Sequence, residues 1–337
     1  MKLKFTISLF AFILPFLGMA KDNTKEFVKL IQKYDIPEEA RNLSSTATCK
    51  EFWQKTIGHN PELLNLLHDL KKNRGAEKEA GYAINRMKLI DYRLDVDIIP
   101  SFAGYCDTLA LDMGLPTEYF DLNIIDDITP NAFTVQTKKG FAICLHIGLL
   151  ERLDYDYGRI MAVTAHEFAH GILQHHLREE YRVAKERRKN KILGGIAAGM
   201  TALAAGADAY ASGVTGEKYD SEKYSKQIEK IANDVNISTL KYRYRYGREQ
   251  ELEADLIAQR FMQFLGYDNK YLEALQLITN SEDYFWFDED SDHPSTIYRL
   301  EFLDFVNKNP QYTNQQKIKT SKVAEKPKDK FGDPIYD

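Results

Sequence analysis

His166 and His170 lie four residues apart in the stretch Ala162–His176, AVTAHEFAHGILQHH, which holds four of the chain's eight histidines. On an α-helix their directions differ by only ~40°, so both imidazoles project from one face and can reach a single metal ion. Glu167 lies one step round the helix, close to such an ion without ligating it. A carboxylate there can take a proton from a metal-activated water, so the chemistry implied is metal-assisted hydrolysis. A catalytic zinc site takes three protein ligands and keeps a position for water. The third ligand must come from elsewhere.

Two sources compete. His176 follows His170 by six residues, the spacing of a third histidine in patterns where a glycine breaks the helix and swings it back. The glycine position here holds Leu173. In a continuing helix His176 points about 240° away from His170, and His175 about 140° away. Both then read as helix-end residues near the C-terminal dipole. The other source is Arg248–Asp255, REQELEAD, with carboxylates at 249, 251, 253 and 255. Glu251 and Asp255 share a helix face, while Glu249 and Glu253 lie about 200° round from Glu251. One of the first pair could bind the metal while the other accepts the N–H of a ligating histidine.

The elements that must position these residues are partly legible. The motif helix is predicted from Tyr157 to about Glu180. Before it, Phe120–Ile125, Ala132–Gln136 and Phe141–His146 read as short strands, separated by turn signals at 126–131 and 138–140. They predict a small antiparallel sheet beside the motif helix. A short helix is expected after Gly148–Leu150. Apolar spacing over Ala76–Met113 is helical, interrupted at Pro100 and stopped by Gly114. Helices resume at Ser221, with a strong one over Arg248–Leu265 ended by Gly266. The fold class is therefore α+β, mostly α.

With 44% hydrophobic residues among 337, the chain can bury a large core. A net charge of −5 and the lack of a basic, aromatic-rich motif argue against nucleic acid. The basic run Arg178–Lys191 reads as a solvated helix end. Ile192–Ala211, rich in glycine and alanine, is either a tightly packed small-residue helix or a candidate peripheral membrane contact. Lys2 and Lys4, the apolar run Phe5–Leu17 and Gly18-Met19-Ala20 predict a secretory signal cleaved after Ala20, and hence an exported, periplasmic or envelope protein. Three cysteines follow, Cys49, Cys106 and Cys144. A Cys106–Cys144 bridge is one pairing; Cys144, within FAICL, otherwise reads as core. The expected organisation is a signal peptide (1–20), an N-terminal helical segment (21–75), a catalytic domain (76–310) and a disordered tail (311–337).

HEFAH, then REQELEAD, then Asp292-His-Pro-Ser-Thr-Ile-Tyr-Arg-Leu300, in that order, resemble the gluzincin zinc peptidases of the HtpX and CAAX-prenyl-protease group, above all its soluble exported bacterial members. Pro130–Phe133, Gly140 and Gly148–Leu150 fit the same pattern, and the resemblance covers residues 80 to 305. It implies that His166, His170 and Glu251 bind one Zn²⁺ and that Glu167 is the general base. It further implies that Asp255 orients a ligand histidine, and that His293 and Arg299 stand beside the metal to stabilise an oxyanion, His293 being alternatively a latent fourth ligand. The implied activity is endopeptidase cleavage of unfolded or misassembled envelope polypeptides, with the extended substrate against Phe141–His146. The alternative is a non-proteolytic envelope chaperone or assembly factor with a structural zinc.

Overall fold

The computed structural model describes residues 22–41, 48–72, 97–115, 120–137, 140–215, 221–279 and 294–312. The expected signal peptide, the helix over 76–96, His293 and residues 313–337 lie outside the described residues.

Among the described residues, the helices α1 (Thr24–Tyr34), α2 (Glu38–Arg41), α3 (Cys49–His59) and α4 (Pro61–Lys72) precede the segment that carries the histidine motif. In α3, Thr48 and Glu51 cap each other's backbone N–H groups in a capping box. That start places Phe52 and Trp53 on the core side, where Trp53 packs on Phe168 and Phe261 with ring centroids 4.7 and 4.5 Å apart. Trp53 Nε1 donates to the Met113 carbonyl at 2.9 Å, satisfying its one polar atom. The helical segment over 21–75 thus shares the core of the catalytic segment.

α5 (Ala103–Asp112) follows a short turn at Pro100, then come β1 (Phe120–Ile125), β2 (Ala132–Gln136) and β3 (Phe141–His146). The strand boundaries agree with those expected, but the sheet is mixed, not antiparallel. Its order is β1-β3-β2, with β3 parallel to β1 and antiparallel to β2. The reason lies in β3, whose residues Ala142 to His146 are all buried. A continuous apolar run belongs in the centre of a sheet, paired on both edges, and an alternating one at the rim. The loop 126–131 therefore carries the chain past the central position.

That loop is held tightly. α6 (Ile147–Arg152) opens directly from β3, and a Cβ on Gly148 would stand 2.0 Å from the Ile128 carbonyl oxygen. Only glycine fits against this backbone.

α7 (Tyr157–Ile172) carries the histidine motif; Asp156 caps it by accepting from Arg159 N at 2.9 Å. It packs on β2 and β3 on one side and on the long helix α9 (Ser221–Phe264) on the other. The expected continuation to Glu180 does not occur. Gln174 adopts φ 52°, and α8 (His175–Thr215) starts in a new direction. No glycine is present, so the cost of the left-handed residue is met by what the break brings together. α10 (Lys270–Ile278) and α11 (Thr296–Lys308) close the catalytic side. α1 buries Phe27, Leu30 and Ile31 against Leu252 and Leu256 of α9 and Phe302 of α11.

The three cysteines are free thiols, so the Cys106–Cys144 bridge is not formed. Burial pushes the Cys144 thiol up to about 12, which makes it an inert core residue.

Gly148→Ala is expected to destabilise the protein by about 1–3 kcal/mol, because the added methyl meets backbone and must displace the loop feeding β2. Denaturant titration of the two proteins measures the difference; equal midpoints would show that the loop yields freely.

Candidate metal centre

α7 and α9 cross so that His166, His170 and Glu251 converge, with one ligand atom from each within 4.8 Å of the others. The two Nε2 atoms are 3.1 Å apart, and Glu251 oxygens lie 3.5 Å from His166 Nε2 and 3.4 Å from His170 Nε2. Ligand atoms about 2.0–2.1 Å from a tetrahedral ion stand about 3.3–3.4 Å apart, so nitrogen, nitrogen and oxygen here suit zinc in type and spacing.

Each histidine is held from behind at Nδ1, which leaves Nε2 as the ligand atom. For His166 the partner is Asp255, 3.0 Å away and fully buried. Tyr271 of α10 reaches the same nitrogen with its hydroxyl at 2.8 Å and also bonds Asp255. Arg299 of α11 clamps Asp255 with two bonds of 2.9 and 2.6 Å. Its Nη1 is 3.9 Å from Glu251, and the residue lines the cavity. Arg299 thus stands beside the candidate ligands, engaged with a carboxylate. Burial works against a proton on His166, but Asp255 and Glu251 outweigh it and push its pKa up to about 9. Burial holds His170 well below its ordinary value, so that ring is neutral.

The partner of His170 is His175, with the two Nδ1 atoms 2.9 Å apart. This corrects the expectation that His175 falls away from the site: the turn at Gln174 brings it back. Burial lowers the His175 pKa, so its ring is neutral and can accept from His170. Its Nε2 lies 3.4 Å from Glu253, close enough for attraction without the alignment of a hydrogen bond. Glu253 in turn takes bonds of 3.0 and 2.9 Å from Arg178, which also donates to Glu62 at 2.7 Å. Arg178 is 1% exposed, the reverse of the solvated helix end its basic run suggests. His176 is no ligand; its Nε2 contacts the Thr134 carbonyl at 3.1 Å.

Glu167 is buried on the cavity wall. The Thr134 hydroxyl lies 2.7 Å from its main-chain carbonyl and 2.9 Å from Oε2. Burial raises its pKa, with His166 and Thr134 pulling the other way. The cavity, about 340 Å³, is lined by the three candidate ligands, Glu167, Arg299, Tyr271 and the segment Pro130–Thr134. His175, Glu253, Arg178, Thr134 and Tyr271 are the site residues that sequence reading missed. Only the spacing of His175 from the motif offered a signal, and it was read on an unbroken helix.

Among the described residues the metal pocket is completed by a glutamate from a second helix and not by a third histidine, the ligand pattern of a gluzincin metallopeptidase. The chain belongs to peptidase family M48, whose family model matches residues 105–306; this is a family of zinc-dependent metalloprotease hydrolases. Among solved structures, the crystal structure of S. mikatae Ste24p is similar at 13% identity and a TM-score of 0.36, covering 88% of this chain. The chain spans 65% of that protein's length. No curated protein matches the chain.

Glu251→Ala is expected to lose most bound zinc and His176→Ala to keep it, measured by metal analysis of purified protein. His175→Ala should weaken zinc retention against a chelator by about 10–100-fold. Full zinc in the Glu251 variant would overturn the ligand set.

Acid should also loosen this region. Burial opposes ionisation of Glu253 and Glu62, but Arg178 outweighs it and holds both carboxyls at about 2. Since the unfolded groups titrate near 4.5, their stabilisation is complete above that pH and is lost as pH falls toward 2. Denaturant midpoints from pH 7 down to 3 should fall steeply below about 4.5; a flat profile would refute the pairing.

Proposed function

We propose that this chain is a zinc-dependent endopeptidase of the cell envelope, acting on unfolded or misassembled envelope polypeptides. One observation carries the peptidase part: Glu167 and the three candidate ligands open into a cavity whose other wall is β2, an edge strand. A zinc ion held by His166, His170 and Glu251 supplies Lewis acidity, polarising a carbonyl and making water nucleophilic near neutral pH.

The chain's own residues account for the rest. Glu167, its pKa raised by burial, accepts the proton of the attacking water and returns it to the leaving amine. Asp255 and His175 fix the rings of His166 and His170 so that both Nε2 lone pairs face inward. Arg299 and Tyr271 hold Asp255 in turn and bring positive charge and a donor to the cavity wall.

The strand that receives an extended substrate is β2. β3, the strand first expected to do so, has both edges occupied. Asn131 and Thr137 turn their backbone groups inward, accepting from His146 N and donating to the Gly140 carbonyl. By alternation Ala132 and Thr134 present theirs outward, beside Glu167, where His176 takes the Thr134 carbonyl and the Ala132 groups face the cavity. A peptide laid along Ala132 adds a strand there, and main-chain pairing makes recognition tolerant of sequence, as an enzyme for unfolded chains requires. The N-terminal charged and apolar run supports export.

Glu167→Gln is expected to keep its zinc and lose cleavage of a reduced, alkylated protein substrate by at least about 100-fold. Cleavage at the wild-type rate would overturn the assignment. Zinc loss alongside activity loss would show instead that Glu167 shapes the site.

A further inference from the structure

Beyond the core, α8 and α9 continue as an antiparallel two-helix arm. Asn190 of α8 bonds Thr239 of α9 at 3.2 Å, and beyond this level none of the residues whose burial is described, through 209 on α8 and back to 221 on α9, is buried. The two helices meet through small side chains. A Cβ on Gly194 would stand 2.7 Å from Val235, and Ala197, Ala198, Thr201 and Ala205 share the partly covered face. The large apolar residues point the other way. Ile192, Leu193, Ile196, Met200 and Leu203 are 57, 55, 58, 67 and 77% exposed. At about 100° per residue all five fall within an arc of about 100°, centred about 150° from Gly194. Gly195 and Gly199, beside the stripe, face open space. This reverses the usual order of a helix in water, where large apolar residues face the partner.

The same face carries charge of one sign at its core end. Lys185, Arg188 and Lys189 lie within about 60° of Ile192 on the helical wheel. The run 185–191, KERRKNK, has five cations and one acid, while 192–207 has no charged residue. A basic band leading into an exposed apolar band matches an anionic lipid surface: cations at the headgroups, apolar side chains in the acyl boundary. The stripe is about 17 Å long and offers roughly 500 Å² of apolar surface, short of the roughly 800 Å² per partner of a stable protein interface. No helix among the described residues is long and apolar enough to cross a membrane.

We propose that the arm face formed by Lys185, Arg188, Lys189, Ile192, Ile196, Met200 and Leu203 docks on the surface of an anionic phospholipid bilayer, inserting shallowly without spanning it. The inference does not depend on the peptidase reading.

The test places an environment-sensitive fluorophore on Met200→Cys in the full chain, with labelled wild type correcting for other thiols. Vesicles of phosphatidylcholine with 30% phosphatidylglycerol should blue-shift the probe, and phosphatidylcholine alone should not. Ile196→Glu with Leu203→Glu should weaken the partition at least about tenfold. Each of Lys185→Gln, Arg188→Gln and Lys189→Gln should cost about fivefold. A probe silent toward anionic vesicles overturns the proposal. So does a shift that tracks protein concentration without lipid and coincides with a dimer in sedimentation, which would assign the face to a second copy. Because the probe sits on the arm, binding through the apolar N-terminal run does not register, and zinc content and cleavage by the glutamate variants confirm folding.

Discussion

A guanidinium that is 1% exposed can exist in a folded protein only if carboxylates meet it inside, and Arg178 meets two. Glu253 comes from α9 and Glu62 from α4, so the cation fastens three helices at one point. Removing one member of such a buried set costs about 3–5 kcal/mol, because the others are left charged and unpaired. The same cation fixes Glu253 behind His175, and His175 behind His170. The metal pocket is thus supported from within the core on one side by Arg178 and on the other by Arg299 through Asp255. Each histidine thus has an arginine behind it, acting through a buried carboxylate.

The turn at Gln174 makes this possible. With Leu173 where a helix-breaking glycine would stand, the sequence predicts that the motif helix runs on to about Glu180. A left-handed glutamine ends the helix all the same, one position later, and aims His175 at His170. Intrinsic preference at one residue is worth about a kilocalorie per mole, and the buried network behind it outweighs that. What was legible followed from local spacing. His166 and His170 share a face, Glu251 and Asp255 share a face, and three strands have the bounds that their turns predict. What was not legible depends on contacts across long stretches of chain. Arg178 looks like its exposed neighbours until Glu62 and Glu253 are placed beside it. Tyr271 sits in an ordinary amphipathic helix and gives no local sign of reaching His166. The order of the strands needed β3 read as a central strand from its unbroken run of apolar residues, which alternation-based pairing overlooks.

The mixed sheet has a consequence for the cavity. With β3 in the centre, the strand nearest the motif helix is an edge, and edges are where a backbone can still pair. The hydroxyl of Thr134 bonds Glu167 while the carbonyl of Thr134 is capped by His176, so a single β2 residue touches both the base and the helix after it. One wall of the cavity and the position of the Glu167 carboxylate are therefore set by the same short strand, which Gly148 allows the preceding loop to enter.

α9 runs without interruption for 44 residues, from the tip of the arm to the core. The level of Ile196 corresponds to about residue 233 on α9, so Glu251 stands about 27 Å further along the same axis at 1.5 Å per residue. A continuous helix has no internal joint, so this length acts as a fixed ruler. Anything that grips the arm face is therefore held at a fixed distance along the arm from the metal pocket, set by the length of helix between them.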